Sequence, residues 1–276
     1  MDILQYDFMR RALLVGILLG LVIPCLGVVV VLRHLAQTGD ALSHSSLAGI
    51  AIGLILGLNP TLGAMVACFL AAMAIEFFRH RLPERAETGV AVIMSAAVGL
   101  AGVASGFTGG FANFNNFLFG SIVAIGNFEL GLVVAVTLGI FLTFILFYRE
   151  LFFVALDEQA ARLAGVPVRV TNFIFTILTA ASVAVAARTV GALLVSSLMV
   201  VPVFAAMQIA RSYFQTVLAS AGIGVFSSLV GLFGSFYFGL KPGGSIVLSG
   251  IACLILIVVG RRFSKVASRF TRKRLS

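Results

Sequence analysis

Tryptophan is absent from these 276 residues, histidine and cysteine occur three times each, and aspartate and glutamate together ten times. Charged residues make up 11% of the chain, against roughly 25% in soluble domains. Hydrophobic residues make up 61%. One aqueous core cannot bury that much apolar surface, which excludes a soluble globular protein and leaves a polytopic membrane protein. Cys25, Cys68 and Cys253 all fall within apolar runs and lack metal-ligand spacing. That excludes a disulfide scaffold and leaves small buried hydrophobes. No Gly-Lys-Ser/Thr occurs, so the chain lacks the phosphate loop of a P-loop ATPase. No His-Glu-x-x-His helix occurs either, which removes an intramembrane metalloprotease of that type.

The apolar residues form nine runs of near-spanning length: 12–32, 41–58, 61–79, 88–107, 129–148, 170–187, 190–210, 215–238 and 244–260. The first is too long for a signal-peptide core and has no small-x-small cleavage site after it, so it is expected to remain as a membrane helix. The run 113–126 is interrupted by Asn113, Asn115, Asn116, Gly120 and Gly126 and reads as extracytoplasmic or partly re-entrant. No repeat or linker divides the chain, which predicts a single transmembrane domain over 1–276. The net charge of +9 comes from bases that punctuate the apolar runs rather than form a separate basic module, so it reads as topology and not as nucleic-acid binding. With the N-terminus outside, fifteen of the nineteen Lys and Arg residues fall in the cytoplasm, and only Arg10, Arg11, Arg188 and Lys241 fall outside. An interfacial first helix, with Ile3, Leu4 and Phe8 on its apolar side, tolerates Arg10 and Arg11. The tail 261–276 is basic, with Phe263, Val266 and Phe270 on one stripe, and is expected to lie on the anionic inner leaflet.

Against this background Asp40 and His44 stand out in Gly39-Asp40-Ala41-Leu42-Ser43-His44-Ser45-Ser46-Leu47-Ala48-Gly49. On a helix, residues four apart share a face. Ionisable groups within a membrane segment are costly and mark pathways or sites. Carboxylate with imidazole also suits a divalent first-row metal. A second reading stands beside this one: Asp40, following Gly39, as the N-cap of a helix with His44 in its first turn. Ala41, Ser45, Gly49, Gly53 and Gly57 recur every four residues, a flat stripe for close helix packing. The Asp40/His44 face lies about 100° round from that stripe, which places the pair at a gap between packed helices.

A second polar stretch runs Leu156-Asp157-Glu158-Gln159-Ala160-Ala161-Arg162-Leu163-Ala164-Gly165-Val166-Pro167. Asp157 can cap a short helix, Glu158 and Arg162 pair at i,i+4, and Gly165 with Pro167 ends it. Its Ala/Leu face fits a partner's groove, or equally the membrane surface.

The 39–49 stretch resembles the Gly-Asp-Ala-Leu-Ser-His signature of the metal-ion permease family of ABC transporters, importers of zinc, manganese or iron. Leu118-Phe119-Gly120, the connector 157–167, Val190-Gly191-Ala192-Leu193-Leu194-Val195 with Pro202, and Pro242-Gly243-Gly244-Ser245-Ile246-Val247-Leu248 match the family in order. The resemblance implies an all-α membrane protein of about eight to nine transmembrane helices in a bacterial plasma membrane. It implies a homodimer of permease chains, two cytoplasmic ATP-binding subunits and an extracytoplasmic metal-binding protein. It implies no resident cofactor; the divalent metal is cargo, with zinc preferred and manganese the alternative. Asp40 and His44 correspond to metal-site residues. The connector, about 157–166, corresponds to the coupling helix, with Asp157, Glu158, Ala161 and Gly165 as its coupling residues. The missing phosphate loop agrees with a chain that is no enzyme itself.

Many family members carry an acid where this chain has Ser121, and another where it has Phe238, so Asp40 and His44 remain the main candidates. Leu118–Val123 and Ile75–His80 look closer to zinc-importing members. Two ligands are too few for a closed tetrahedral site, so a second chain or water must complete the shell. Only neutral imidazole can bind, so occupancy must fall as the ring protonates in acid. An ion-gradient-driven transporter is the rival reading, but the acids it would place in several mid-membrane spans are missing. His34 and His80 read as interfacial residues, Glu76 as a partner for Arg79 or His80, and Glu129 as the cap of the next span. Asn113–Asn116 and Lys241 are candidate contacts for a binding protein.

Overall fold

Hydrocarbon offers no partner for a backbone N–H or C=O, so a chain of this composition must fold as helices whose peptide groups bond internally. The computed structural model describes residues 5–33, 35–107, 117–121 and 125–274, and contains no strand among them. His34 and Asn113–Asn116 lie outside the described residues, as do the side chains of the tail beyond Arg262. The helices are α1 (Asp7–Leu32), α2 (Ala36–Ile55), α3 (Pro60–Arg81), α4 (Ala86–Ser105), α5 (Asn127–Leu146), α6 (Tyr148–Leu156), α7 (Glu158–Leu163), α8 (Val168–Ala186), α9 (Ala192–Ile209), α10 (Tyr213–Phe238) and α11 (Pro242–Arg274).

Each of the nine apolar runs meets one long helix. Seven are long and apolar enough to cross a membrane, and Leu194–Ile209 is a shorter apolar helix. The 20-residue α2 is not among the seven, because Gln37, Asp40, His44 and its serines dilute its apolar residues. The expected eight to nine spans hold as an approximate count.

Sequence chemistry sets the helix ends. Asn59 accepts the Thr61 N–H at 2.9 Å ahead of α3, with Pro60 in the first turn where its missing N–H costs nothing. Before α10, Ser212 accepts the Gln215 N–H at 3.3 Å while the Gln215 side chain accepts the Arg211 N–H at 2.9 Å. A left-handed Gly239 ends α10.

At the centre α1 packs on α10, α9 and α5, while α2 is enclosed by α3, α4 and α9. Thirteen of the twenty α2 residues are buried. The α2–α3 crossing depends on small residues: a methyl on Gly49 would overlap the Gly63 carbonyl, and one on Gly63 would overlap that of Gly49. Gly53 continues this contact toward Pro60. Gly57, expected on the same stripe, does not pack there. It lies beyond the end of α2 at φ +66°, with open space around it, as the left-handed residue that turns the chain toward α3. A four-residue spacing cannot reveal where a helix stops.

Gly49→Val should destabilise the protein by about 2 kcal/mol, because overpacking forces α2 and α3 apart. Gly99→Ala, facing open space, should leave it unchanged. Thermal unfolding in detergent separates them, and an unchanged Gly49→Val would show that the crossing does not need the close approach.

Candidate functional site

Helix α2 begins at Ala36, with Leu35 before it making no side-chain cap. Asp40 is therefore the fifth residue of the helix, and the N-cap reading is excluded. The polar residues Gln37–Asp40, which end the apolar run at 41, continue the helix because tertiary packing outweighs their weak propensity. Gly39 lies against α9, where an added methyl would come 3.3 Å from Met199 Sδ.

Asp40 and His44 thus lie one turn apart on one face, both half-buried, while Ala41, Leu42, Ser43 and Ser45 around them are buried. Ser45 and Ser46 spend their hydroxyls on the helix itself, donating to Ala41 O and Ser43 O at 2.7 Å. Cys68 of α3, fully buried, donates its thiol to Leu42 O at 3.3 Å. Asp40 and His44 differ: among the described residues neither side chain has a hydrogen-bond or ion-pair partner. The described residues contain no cluster of three or more His, Cys, Asp or Glu able to hold a metal. The chain alone offers two ligands at this place. A cavity of about 370 Å³ opens beside the start of α2, its wall including Ala36, Gln37, Thr38, Arg79 and Glu87. Neither Asp40 nor His44 lines it.

Three other acids near helix ends pair with arginines. Glu76 accepts from Arg79 at 3.1 Å. Glu129 accepts the Gly126 N–H at 3.0 Å, as the start of α5 requires, but also receives Arg188 Nη1 at 2.5 Å. Arg188 lies in the π-turn Ala187–Gly191 between α8 and α9 and also reaches Thr61 at 3.3 Å. Arg33, the residue after α1, donates to Asn172 at 2.8 Å and Glu158 at 2.5 Å. Burial, then repulsion from Arg79, pulls its guanidinium below the ordinary value, while Glu158 and Glu76 oppose the shift. Neither long-range pair is visible as a motif, since 59 and 125 residues separate the partners. The usable signal was sidedness: the topology from basic residues puts Arg33 with Glu158, and Arg188 with Glu129, on common sides.

Three matched motifs meet in one junction rather than in a ligand site. Gly120, at φ +77°, lies against Thr189 and Val190. Gly191, at φ +101°, lies so close to the 118–120 backbone that a methyl would come 2.6 Å from Leu118 O. A methyl on Gly243 would overlap Val190 O. Ser121 follows in this junction, and Phe238 is exposed at the end of α10.

In the connector, Asp157 caps α7, accepting the N–H groups of Gln159 and Ala160 at 2.8 and 3.0 Å. Glu158 pairs with Arg162 at 3.4 Å as its spacing predicts. Ala161 is fully buried against Val154 and Val168, so it anchors the helix and presents nothing outward. Gly165 closes the turn at φ +82°. The outward face holds Gln159, Ala160, Arg162 and Leu163, the last 91% exposed.

Breaking the Glu129–Arg188 pair should cost more than removing it. Glu129→Gln strands a half-buried cation and should lower stability by about 3 kcal/mol. Adding Arg188→Met should recover more than half of that in thermal unfolding, and a double variant worse than the single would contradict this.

The ABC 3 transport family model matches residues 5–261. A relative from Treponema pallidum named "Probable metal transport system membrane protein" is 33% identical over 257 residues, covering 92% of this chain and 96% of that protein. The manganese import system permease protein of Streptococcus parasanguinis is 27% identical, covering 91% and 90%. The solved structure of PsaBC from Streptococcus pneumoniae in complex with Fab superposes with a TM-score of 0.82 at 27% identity, covering 93% of this chain and 92% of that one. With the matched motifs spread from α2 to α11, and the family model spanning all but the two ends, this chain belongs to the ABC 3 transport family.

Proposed function

We propose that this chain is the permease subunit of an ATP-driven divalent-metal importer, with manganese as its cargo. The unpartnered Asp40/His44 pair on the enclosed helix α2 carries the reading. Glu76, Glu129 and Glu158 each have an arginine partner, whereas Asp40 and His44 have none among the described residues and are free to bind something from outside the chain. Two such pairs, one from each of two copies, supply four protein ligands around an ion, with water completing the shell. That number suits transient binding of a transported ion better than permanent retention.

The Leu118–Val123 and Ile75–His80 stretches look closer to zinc-importing members. Manganese takes the place of zinc because the curated relatives from Streptococcus parasanguinis and Listeria monocytogenes are both named for manganese. A carboxylate in the ligand set is compatible with that ion. The chain lacks a phosphate loop, so two cytoplasmic ATPase subunits provide the energy, docking on the outward face of α7. An extracytoplasmic binding protein delivers the ion. The N-terminus lies outside and the C-terminus in the cytoplasm of the plasma membrane, which puts α7 on the ATPase side and the Gly120–Gly191–Gly243 junction on the delivery side.

Asp40→Ala and His44→Ala should each reduce uptake of radiolabelled manganese to background, with the ATPase complex still assembled on purification. Normal transport by either variant would place the site elsewhere. Leu163→Asp, on the exposed end of α7, should weaken retention of the ATPase subunit about tenfold, as loss of an apolar anchor does. Undiminished retention would move the docking face off α7.

A further inference from the structure

Among the described residues, α7 has one polar side-chain link to the helix bundle. Its other bonds are local: the Asp157 cap, the Glu158–Arg162 pair, and the packing of Ala161 on Val154 and Val168. The exception is Arg33, whose side chain is 8% exposed. Its guanidinium forks, Nη1 donating to Asn172 Oδ1 on α8 at 2.8 Å and Nη2 to Glu158 Oε2 at 2.5 Å. Arg33 ends α1, and three residues later Ala36 begins α2. One side chain thus ties the first residue of α7 to α8 and to the short loop from which the Asp40/His44 helix starts.

The chemistry of the link decides whether it holds or opens. Glu158 is about a third exposed, and water can solvate it if the pair breaks. Arg33 has less recourse: a buried guanidinium that loses this carboxylate keeps only the Asn172 amide and the more distant charge of Glu76. Arg79, whose charge already works against Arg33, would raise that cost. The pair therefore stays closed while α7 moves. The planar fork also matters: a lysine ammonium is a point charge and cannot reproduce the two directed bonds to Asn172 and Glu158.

We propose that Arg33 is a positioning residue that transmits movement of α7 to α8 and to the α1–α2 loop through a permanent Arg33–Glu158–Asn172 linkage. The proposal rests on the reading of α7 as the ATPase-facing helix. It adds the route by which that helix reaches the Asp40/His44 site.

The test uses the full complex with its ATPase partner in proteoliposomes, comparing Arg33→Gln, Glu158→Gln, the double variant and Arg33→Lys. Each glutamine variant should lower manganese moved per ATP hydrolysed about tenfold, and the double should be no worse than the worse single, since both remove the same link. Arg33→Lys, which keeps the charge but not the fork, should fall between wild type and Arg33→Gln. A normal ratio in Arg33→Gln would overturn the proposal, as would a double variant whose loss is the product of the two singles. If wild type hydrolyses ATP but moves no manganese, the manganese reading fails on its own. The linkage is then judged on the basal ATP hydrolysis of the same four variants, where the same non-additive pattern supports it and a multiplicative one overturns it.

Discussion

Everything in this chain follows from the scarcity of partners in a hydrocarbon solvent. Backbone groups are satisfied by helix formation, and charges are satisfied by one another. The chain has few acids, and it places them with care. Glu129 meets Arg188 beside the π-turn, Glu158 meets Arg33, and Glu76 meets Arg79. On the enclosed helix α2, by contrast, Asp40 and His44 have no partner among the described residues. The proposed cation, shared with a second copy, would be that partner.

The same solvent explains how the helices come close enough to build the site. Apolar side chains gain little from leaving lipid for one another, so close association relies on small residues and on backbone-to-backbone approach. Gly49 and Gly63 bring α2 onto α3, and Gly39 brings it onto α9. The result holds the Asp40/His44 face at a fixed rotation. Beside the π-turn, Gly120, Gly191 and Gly243 let three chain segments meet almost backbone to backbone. These motifs read as equal in the sequence, yet three of them lock a junction, while the 39–49 stretch lies within α2 with Asp40 and His44 unpartnered among the described residues.

Much of this was legible beforehand, and the reasons for the rest are physical. Hydropathy located all nine long helices because spanning length is a solvent constraint. It misplaced the start of α2, since polar residues at a packed helix end look like a loop to a hydropathy count. That error also kept alive the reading of Asp40 as a cap. Spacing found the Gly49 and Gly53 contact but carried the stripe one step too far, into the turn at Gly57. The Glu158–Arg162 pair was readable because it is local. Arg33–Glu158 and Arg188–Glu129 were not, because only the folded topology brings those partners together. Metal preference, weighed from short stretches, leaned to zinc, whereas carboxylate and imidazole do not separate the two ions on chemistry alone.

The central claim is that His44, beside Asp40, touches the transported ion. Pulsed electron paramagnetic resonance of manganese(II) bound to the reconstituted complex measures this directly, through the coupling of the metal electron to a ligating imidazole nitrogen. That coupling is expected in the wild-type complex and should be lost in His44→Gln. A nitrogen coupling that survives the substitution unchanged would contradict it.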